Sequence, residues 1–311
     1  CARRAAHAMN ADARDARVPV TLLTGFLGAG KTTLLNRVLG ERHGERIAAI
    51  VNEYGDVGID GDLVVGSAEE IVELANGCVC CTVRGDLVET IARLLAARDR
   101  KLFKRPFDRI LIEASGMAEP GPIVQTLRLD ANLAAQVALD GIVTVAHAGN
   151  LIAQLADRPE AAEQLAYADR VVLNHTDQCT PEALSKARAA VTARNALAAI
   201  SVAVRAEVPV ADLLDLGTED ASRWDRLLER AEGHAHHDHA SEVGTVALES
   251  DADLDLHRLK IWLQFLANRR GQDLYRLKGI LRCRERDEPV VVQGMYEWLE
   301  VGPGDGARPA R

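Results

Sequence analysis

Long apolar runs, excess positive charge and cysteine are all scarce in this sequence of 311 residues. The apolar stretches fall far short of the roughly 20 residues that a bilayer-spanning helix needs, so no membrane partner is expected. Lys and Arg number 37 against 46 Asp and Glu, a net charge of −9. A nucleic-acid partner would call for a basic face, so small molecules, ions and proteins are the expected ligands. The N-terminal CARRAAHAMNADARDAR has arginines but no uninterrupted apolar core of the kind a secretory signal needs, and export is not expected. A start at Cys1 leaves three readings: a trimmed end, a start assigned upstream of Met9, or a lipidated mature end. Six cysteines, three of them clustered, do not form the staple pattern of an extracellular domain.

The sequence does contain many short apolar runs. VTLLTG (20–25), IAAIV (47–51), RILIE (109–113), GIVTV (141–145), RVVLN (170–174) and AISVAV (199–204) are too brief for helices and read as buried parallel strands. Helical periodicity lies between them, in LVETIARLLAARD (87–99) and in PEALSKARAAVTAR (181–194), which Thr180 caps and Pro181 opens. The alternation predicts an α/β fold, a doubly wound sheet over 18–204. Residues 205–242 change to charged and amphipathic sequence with a histidine tract (His234, His236, His237, His239) and read as a linker. A smaller α+β domain is expected over 243–300, with strands at 243–249, 274–281 and 289–293 and a helix at 254–269. Tyr275, Arg276 and Lys278 alternate along one of these strands and read as a solvated face. Cys179 and Cys283 read as ordinary thiols.

GFLGAGKTT (25–33) matches G-x-x-x-x-G-K-[ST] between a strand and a helix. Gly25, Gly28 and Gly30 would let backbone N–H groups, with those of Ala29 and Thr33, close on phosphate oxygens. Lys31 would place its charge on the β- and γ-phosphates and Thr32 its hydroxyl on Mg²⁺. Glu113 ends a buried strand, where a carboxylate is costly unless it serves a cation, and it is assigned to the same magnesium. Gly116 could bring an N–H to the γ-phosphate from the Ser115-Gly116 turn. Asn174 and Asp177 leave another strand at the spacing of the guanine-reading N-K-x-D element. A carboxylate there accepts from the guanine N1–H and exocyclic amine, where adenine offers an acceptor instead, so GTP and GDP are preferred. His175 stands where a lysine is usual, and an imidazole can also stack on a base.

NGCVCCTVR (76–84) concentrates three thiols in four positions. Neighbouring Cys80 and Cys81 have Cα atoms only about 3.8 Å apart, too close for a relaxed disulfide. A Cys78–Cys80 bond closes a very small ring, and a nucleophile would need one thiol and a local base. Convergence of Cys78, Cys80 and Cys81 on one soft or borderline cation accounts for all three, with Zn²⁺ leading and Co²⁺ open. Gly77 lets the segment curl. Glu53 in VNEYGDVGID is the first choice of fourth ligand, with His147 or the histidine tract as rivals.

With GFLGAGKTT, NEYGDVGID, GCVCC, IEASGMAEP and NHTD in that order, the sequence resembles the CobW-like GTPases, relatives of the nickel-insertion GTPases that mature urease and hydrogenase. The likeness runs over about 18–204 and continues more weakly through LYRLKGIL and VVVQG. It implies a cytoplasmic, Mg²⁺-dependent GTP hydrolase acting as a metallochaperone, which holds Zn²⁺ or Co²⁺ at the cysteines and passes it to a metalloprotein client. It also implies that the segment at 52–60 responds to the γ-phosphate, coupling nucleotide and metal. Family members commonly continue with another strand and helix beyond VGPGDGARPAR, which makes a truncated small domain an expectation. Two other readings compete: a metal buffer or sensor that binds GTP without turnover, and a P-loop small-molecule kinase, against which Asn174 and Asp177 argue.

Overall fold

The structure is a computed structural model and describes residues 17–52, 70–74, 82–99, 107–217, 252–295 and 298–303, with 246, 248 and 250 besides. Seven parallel strands form the main sheet: β1 (Val18–Thr24), β2 (Ile47–Asn52), β3 (Glu70–Leu74), β4 (Arg109–Glu113), β5 (Val137–His147), β6 (Arg170–Asn174) and β7 (Ala199–Val202), in the order β3-β2-β4-β1-β5-β6-β7. Helices α1 (Lys31–Gly40), α2 (Thr82–Asp99), α3 (Pro120–Leu129), α4 (Ala131–Ala134), α5 (Leu151–Asp157), α6 (Pro159–Tyr167) and α7 (Pro181–Arg194) cover it. Both faces are packed, which is why the strands read as near-continuous apolar runs. Val20, Leu22, Ile50, Ile110, Ile112 and Ile142 face Ile91, Leu95, Ile123 and Leu127 of α2 and α3. Leu23, Ala49, Leu111, Val143 and Val145 face Leu34, Leu35 and Val38 of α1.

The expected α/β sheet is present, with adjustments. Strand β3 was absent from the expected set, β5 begins four residues earlier than the GIVTV run, and β7 stops at Val202. Thr180 caps α7 as expected, its hydroxyl accepting from the Ala183 N–H at 3.2 Å. The linker reading fails over its first part. Ala206, Val208, Val210, Leu213 and Leu214 are buried in the α1-side core, and Asp140 accepts from the Gly217 N–H at 3.1 Å. Alternating apolar and polar residues there serve a packed strap rather than a spacer. The histidine tract lies outside the described residues.

The second unit has helix α8 (Leu256–Arg270) and an antiparallel sheet of β8 (Leu277–Leu281), β9 (Val290–Met295) and β10 (Trp298–Pro303). Leu263, Cys283, Val290 and Val292 form its core. Residues 246, 248 and 250 carry no strand, the rest of the expected 243–249 strand lies outside the described residues, and β10 was not among the expected strands. The supposed solvated face is a contact. Arg276 donates to the Tyr167 carbonyl and pairs with Asp169, Lys278 donates to the same carboxylate at 3.1 Å, and Tyr275 meets Tyr167 edge to face at 6.1 Å. Alternation along β8 therefore marks an interface with the larger sheet, because buried cations need a carboxylate opposite them. Among the described residues no helix is long and apolar enough to cross a membrane.

Candidate functional site

The candidate site lies at the carboxyl ends of β1, β4, β5 and β6, where parallel sheets bind ligands. The loop after β1 turns through three left-handed glycines, Gly25, Gly28 and Gly30, at φ 138°, 72° and 105°. At Gly30 the requirement is also steric, because a methyl group there would collide with Asn174 Nδ2. Ala29 is fully buried, and its carbonyl accepts from Asn174 Nδ2 at 2.9 Å. Lys31, at the first position of α1, is buried to 8% exposure, with Nζ 3.4 Å from the Phe26 carbonyl. Its charge is thus folded back over the loop that would hold phosphates. Thr33 follows in the first turn of α1.

Thr32 and Glu113 are 81 residues apart in sequence, yet Thr32 Oγ1 donates to Glu113 Oε1 at 2.9 Å. Glu113 is 4% exposed. A hydroxyl and a buried carboxylate at one point form the hard oxygen set that suits Mg²⁺, so these residues fit that ion. Beyond Glu113 the chain makes a tight turn, with the Ala118 N–H donating to the Ser115 carbonyl at 2.9 Å. Within it Gly116 lies on the phosphate loop: a methyl on its Cα would stand 2.6 Å from Leu27 Cδ2 and 2.9 Å from the Leu27 nitrogen. Only a residue without Cβ permits this approach.

Asn174 does not point outward at a base. It is 1% exposed and joins two loops, donating to Ala29 and accepting from the Ala206 N–H at 2.8 Å. Asp177 sits in a short 3₁₀ turn, Thr176–Gln178, with no buried residue, so its carboxylate faces solvent beside the phosphate loop. The loop carrying Ala206 has two successive non-glycine residues in left-handed backbone, Arg205 and Ala206. This third wall was not expected; AISVAV was read as strand to its end. His147 closes β5 and stacks on His175. Burial lowers the His147 pKa, and the neighbouring His175 lowers it further, so the ring favours its neutral form.

Gln164 is another residue the sequence did not single out. It is 1% exposed, and its Nε2 donates to the Gly116 and Ala118 carbonyls at 3.3 and 3.1 Å. The 115–118 turn is therefore fastened from α6. No motif spacing marks a lone glutamine on a helix.

Cys78, Cys80, Cys81 and Glu53 lie outside the described residues. Their points of departure do not. Asn52 and Leu74, the last residues of β2 and β3, are register partners, so the chain toward Glu53 and the chain toward Cys78 leave the sheet side by side. Val51 is in turn the register partner of Glu113. His147 stands four strand positions from β3, about 19 Å at the usual strand spacing. Among the described residues no cluster of His, Cys, Asp or Glu could hold a metal ion.

A parallel sheet with this loop, this threonine–glutamate contact and this asparagine strut defines a P-loop nucleotide-binding protein of the GTPase type. Residues 19–201 match the CobW/HypB/UreG nucleotide-binding domain and residues 243–311 the cobalamin synthesis protein CobW C-terminal domain; the chain belongs to the CobW/HypB/UreG family. It is 33% identical to the zinc-regulated GTPase metalloprotein activator 1 of Schizosaccharomyces pombe, over 92% of this chain and 77% of that one. It is also 33% identical to the zinc chaperone YjiA of Escherichia coli, over 89% and 86%. The crystal structure of Zn(II)-bound YjiA GTPase from E. coli superposes with a TM-score of 0.74 at 27% identity, covering 92% of this chain and 89% of that one.

Proposed function

We propose that this protein is a cytoplasmic GTP-dependent zinc chaperone, which hydrolyses GTP to GDP and phosphate to gate delivery of the ion to a metalloprotein client. The observation that carries the reading is the meeting of Thr32 and Glu113 on the phosphate loop at 2.9 Å, in a chain whose relatives are named zinc chaperones and metalloprotein activators.

In this reading the N–H groups of residues 28–33 cradle the phosphates and Lys31 neutralises charge that builds on the β- and γ-oxygens as water displaces GDP. Thr32 and Glu113 would hold Mg²⁺, which when bound would supply Lewis-acid polarisation of the γ-phosphate. Gly116 offers its N–H to the γ-phosphate from a turn that Gln164 holds in place. Asp177 accepts from the guanine edge, and Asn174 braces the loops on either side of it. Zn²⁺, or Co²⁺ where that ion is supplied, is the cargo, taken by Cys78, Cys80 and Cys81 with Glu53 as fourth ligand. The adjacency of β4, β2 and β3 supports coupling, since a change felt at Glu113 reaches the roots of both metal-binding segments within two strands.

Two measurements test this. Lys31→Ala is expected to abolish Mg²⁺-dependent GTP hydrolysis. The double variant Cys80→Ser/Cys81→Ser is expected to lose about one tightly bound zinc per chain by metal analysis. Unchanged zinc content in that variant means the ion is held elsewhere.

A further inference from the structure

Two imidazoles meet at the guanine end of the site. His147 is the register partner of Asn174, so it stands beside the start of the Asn174–Asp177 segment. Its ring lies on that of His175 with centroids 4.4 Å apart and planes 15° from parallel. His175 is held in left-handed backbone at φ 58° and ψ 36°, a strained choice for a residue with a Cβ, and its carbonyl accepts from Cys179 Sγ at 3.5 Å. A glycine lies against an edge of each ring. A methyl on Gly149 would lie 3.4 Å from Cys179 Sγ and 3.6 Å from His147 Cε1, and a methyl on Gly30 would lie 3.8 Å from His175 Nε2. His147 Nδ1 and His175 Nε2 are buried and have no hydrogen-bond partner among the described residues. A ring pair so placed is not explained by packing alone, because buried ring nitrogens are ordinarily satisfied.

With His175, at the lysine position of the N-K-x-D element, taken as the residue that lies on the nucleotide base, we infer that His147 positions its ring, the two rings together forming one side wall of the base pocket. This rests on the reading of Asp177 as the guanine acceptor. Flat rings stack on any purine, since every base has a π-face. The wall therefore supplies affinity, whereas discrimination stays with Asp177. A flexible lysine stem at 175 would need no partner ring, so His147 and His175 are functionally coupled.

The test is the dissociation constant for GDP measured by calorimetry on the full chain. His147→Leu, which fills the space without a flat ring, is expected to weaken GDP binding about fivefold or more, and His147→Phe to recover most of that loss. In a His175→Lys background the same His147→Leu change is expected to cost nothing further. Wild-type affinity in His147→Leu, or an equal loss in both backgrounds, overturns the pairing. A separate arm reads the base itself: Asp177→Asn is expected to shift preference from GDP to xanthosine diphosphate. If that shift is absent while the His147 results hold, the guanine assignment falls and the ring wall stands; the converse pattern removes the wall alone.

Discussion

At the scale of single residues, the site depends on side chains that touch no phosphate. Gln164 is the sharpest case, since one amide holds two carbonyls of the turn that brings Gly116 against Leu27. Loss of that tether leaves the loop and its lysine intact but frees Gly116, whose N–H is proposed to meet the γ-phosphate. Gln164→Leu is therefore expected to lower the turnover number for GTP about tenfold or more, while GDP, which has no γ-phosphate, binds as before. Equal weakening of GDP binding would place the effect in the fold instead. Phosphate chemistry, which demands a lysine and a hydroxyl at fixed offsets, drew attention to Lys31 and Thr32, the cost of a buried strand-end carboxylate to Glu113, and the spacing of the guanine-reading element to Asn174, whose side chain braces two loops instead. Gln164 and Ala206 were not legible, since each acts through backbone groups that any helix or loop presents, and their partners lie 48 and 32 residues away.

At the scale of elements, the contact between β8 and the start of β6 shows how one carboxylate organises two cations. Asp169 accepts from the Ile142 N–H at 2.9 Å and from Arg276 and Lys278. Burial works to raise its pKa, but the two cations and the backbone donor prevail and pull it down to about 2. Lys278 shifts the opposite way in stability terms: burial and the charge of Arg276 outweigh Asp169 and lower it to about 8. The Asp169 carboxylate thus faces both a guanidinium and an ammonium. Because the Asp169 carboxyl titrates lower in the fold than in the open chain, its contribution of about 2 kcal/mol is present above about pH 4 and lost as the pH falls toward 2. Charging Lys278 in the fold carries a penalty that is full below about pH 8 and relieved as the pH rises through its unfolded value. Lys278→Met is accordingly expected to raise thermal stability at pH 7 and to abolish the alkaline rise, whereas Asp169→Asn lowers stability at pH 7 and flattens the acid limb. Thermal melts from pH 3 to 10 read both. Two of the three strands that the sequence indicated in this unit have counterparts in β8 and β9, the first of them starting three residues later than expected. Alternation could not tell a solvated face from one laid on a second sheet, since both demand polar residues at every other position.

At the scale of the whole molecule, the proposed coupling between nucleotide and zinc rests on the strand order. Glu113 on β4 neighbours Val51 on β2, and Asn52 on β2 neighbours Leu74 on β3, so the strand that ends in Glu113 and the strand from which the chain runs on toward the cysteines are separated by β2 alone. The doubly wound sheet was readable because strands covered on both faces leave unmistakable apolar runs. The strap at 205–217 was not, because its few apolar residues fall among charged ones that pair with the sheet's lower edge, as Asp215 does with Arg109 at 2.6 Å. Coupling between two ligands is reciprocal: if GTP tightens zinc, zinc tightens GTP by the same factor. The decisive measurement is the zinc dissociation constant of the full chain, by competition with a chelator, in the presence of a non-hydrolysable GTP analogue and of GDP. The account predicts tighter zinc with the analogue, by about fivefold or more, with the difference lost in Cys80→Ser/Cys81→Ser. Identical zinc affinity in both nucleotide states would contradict it.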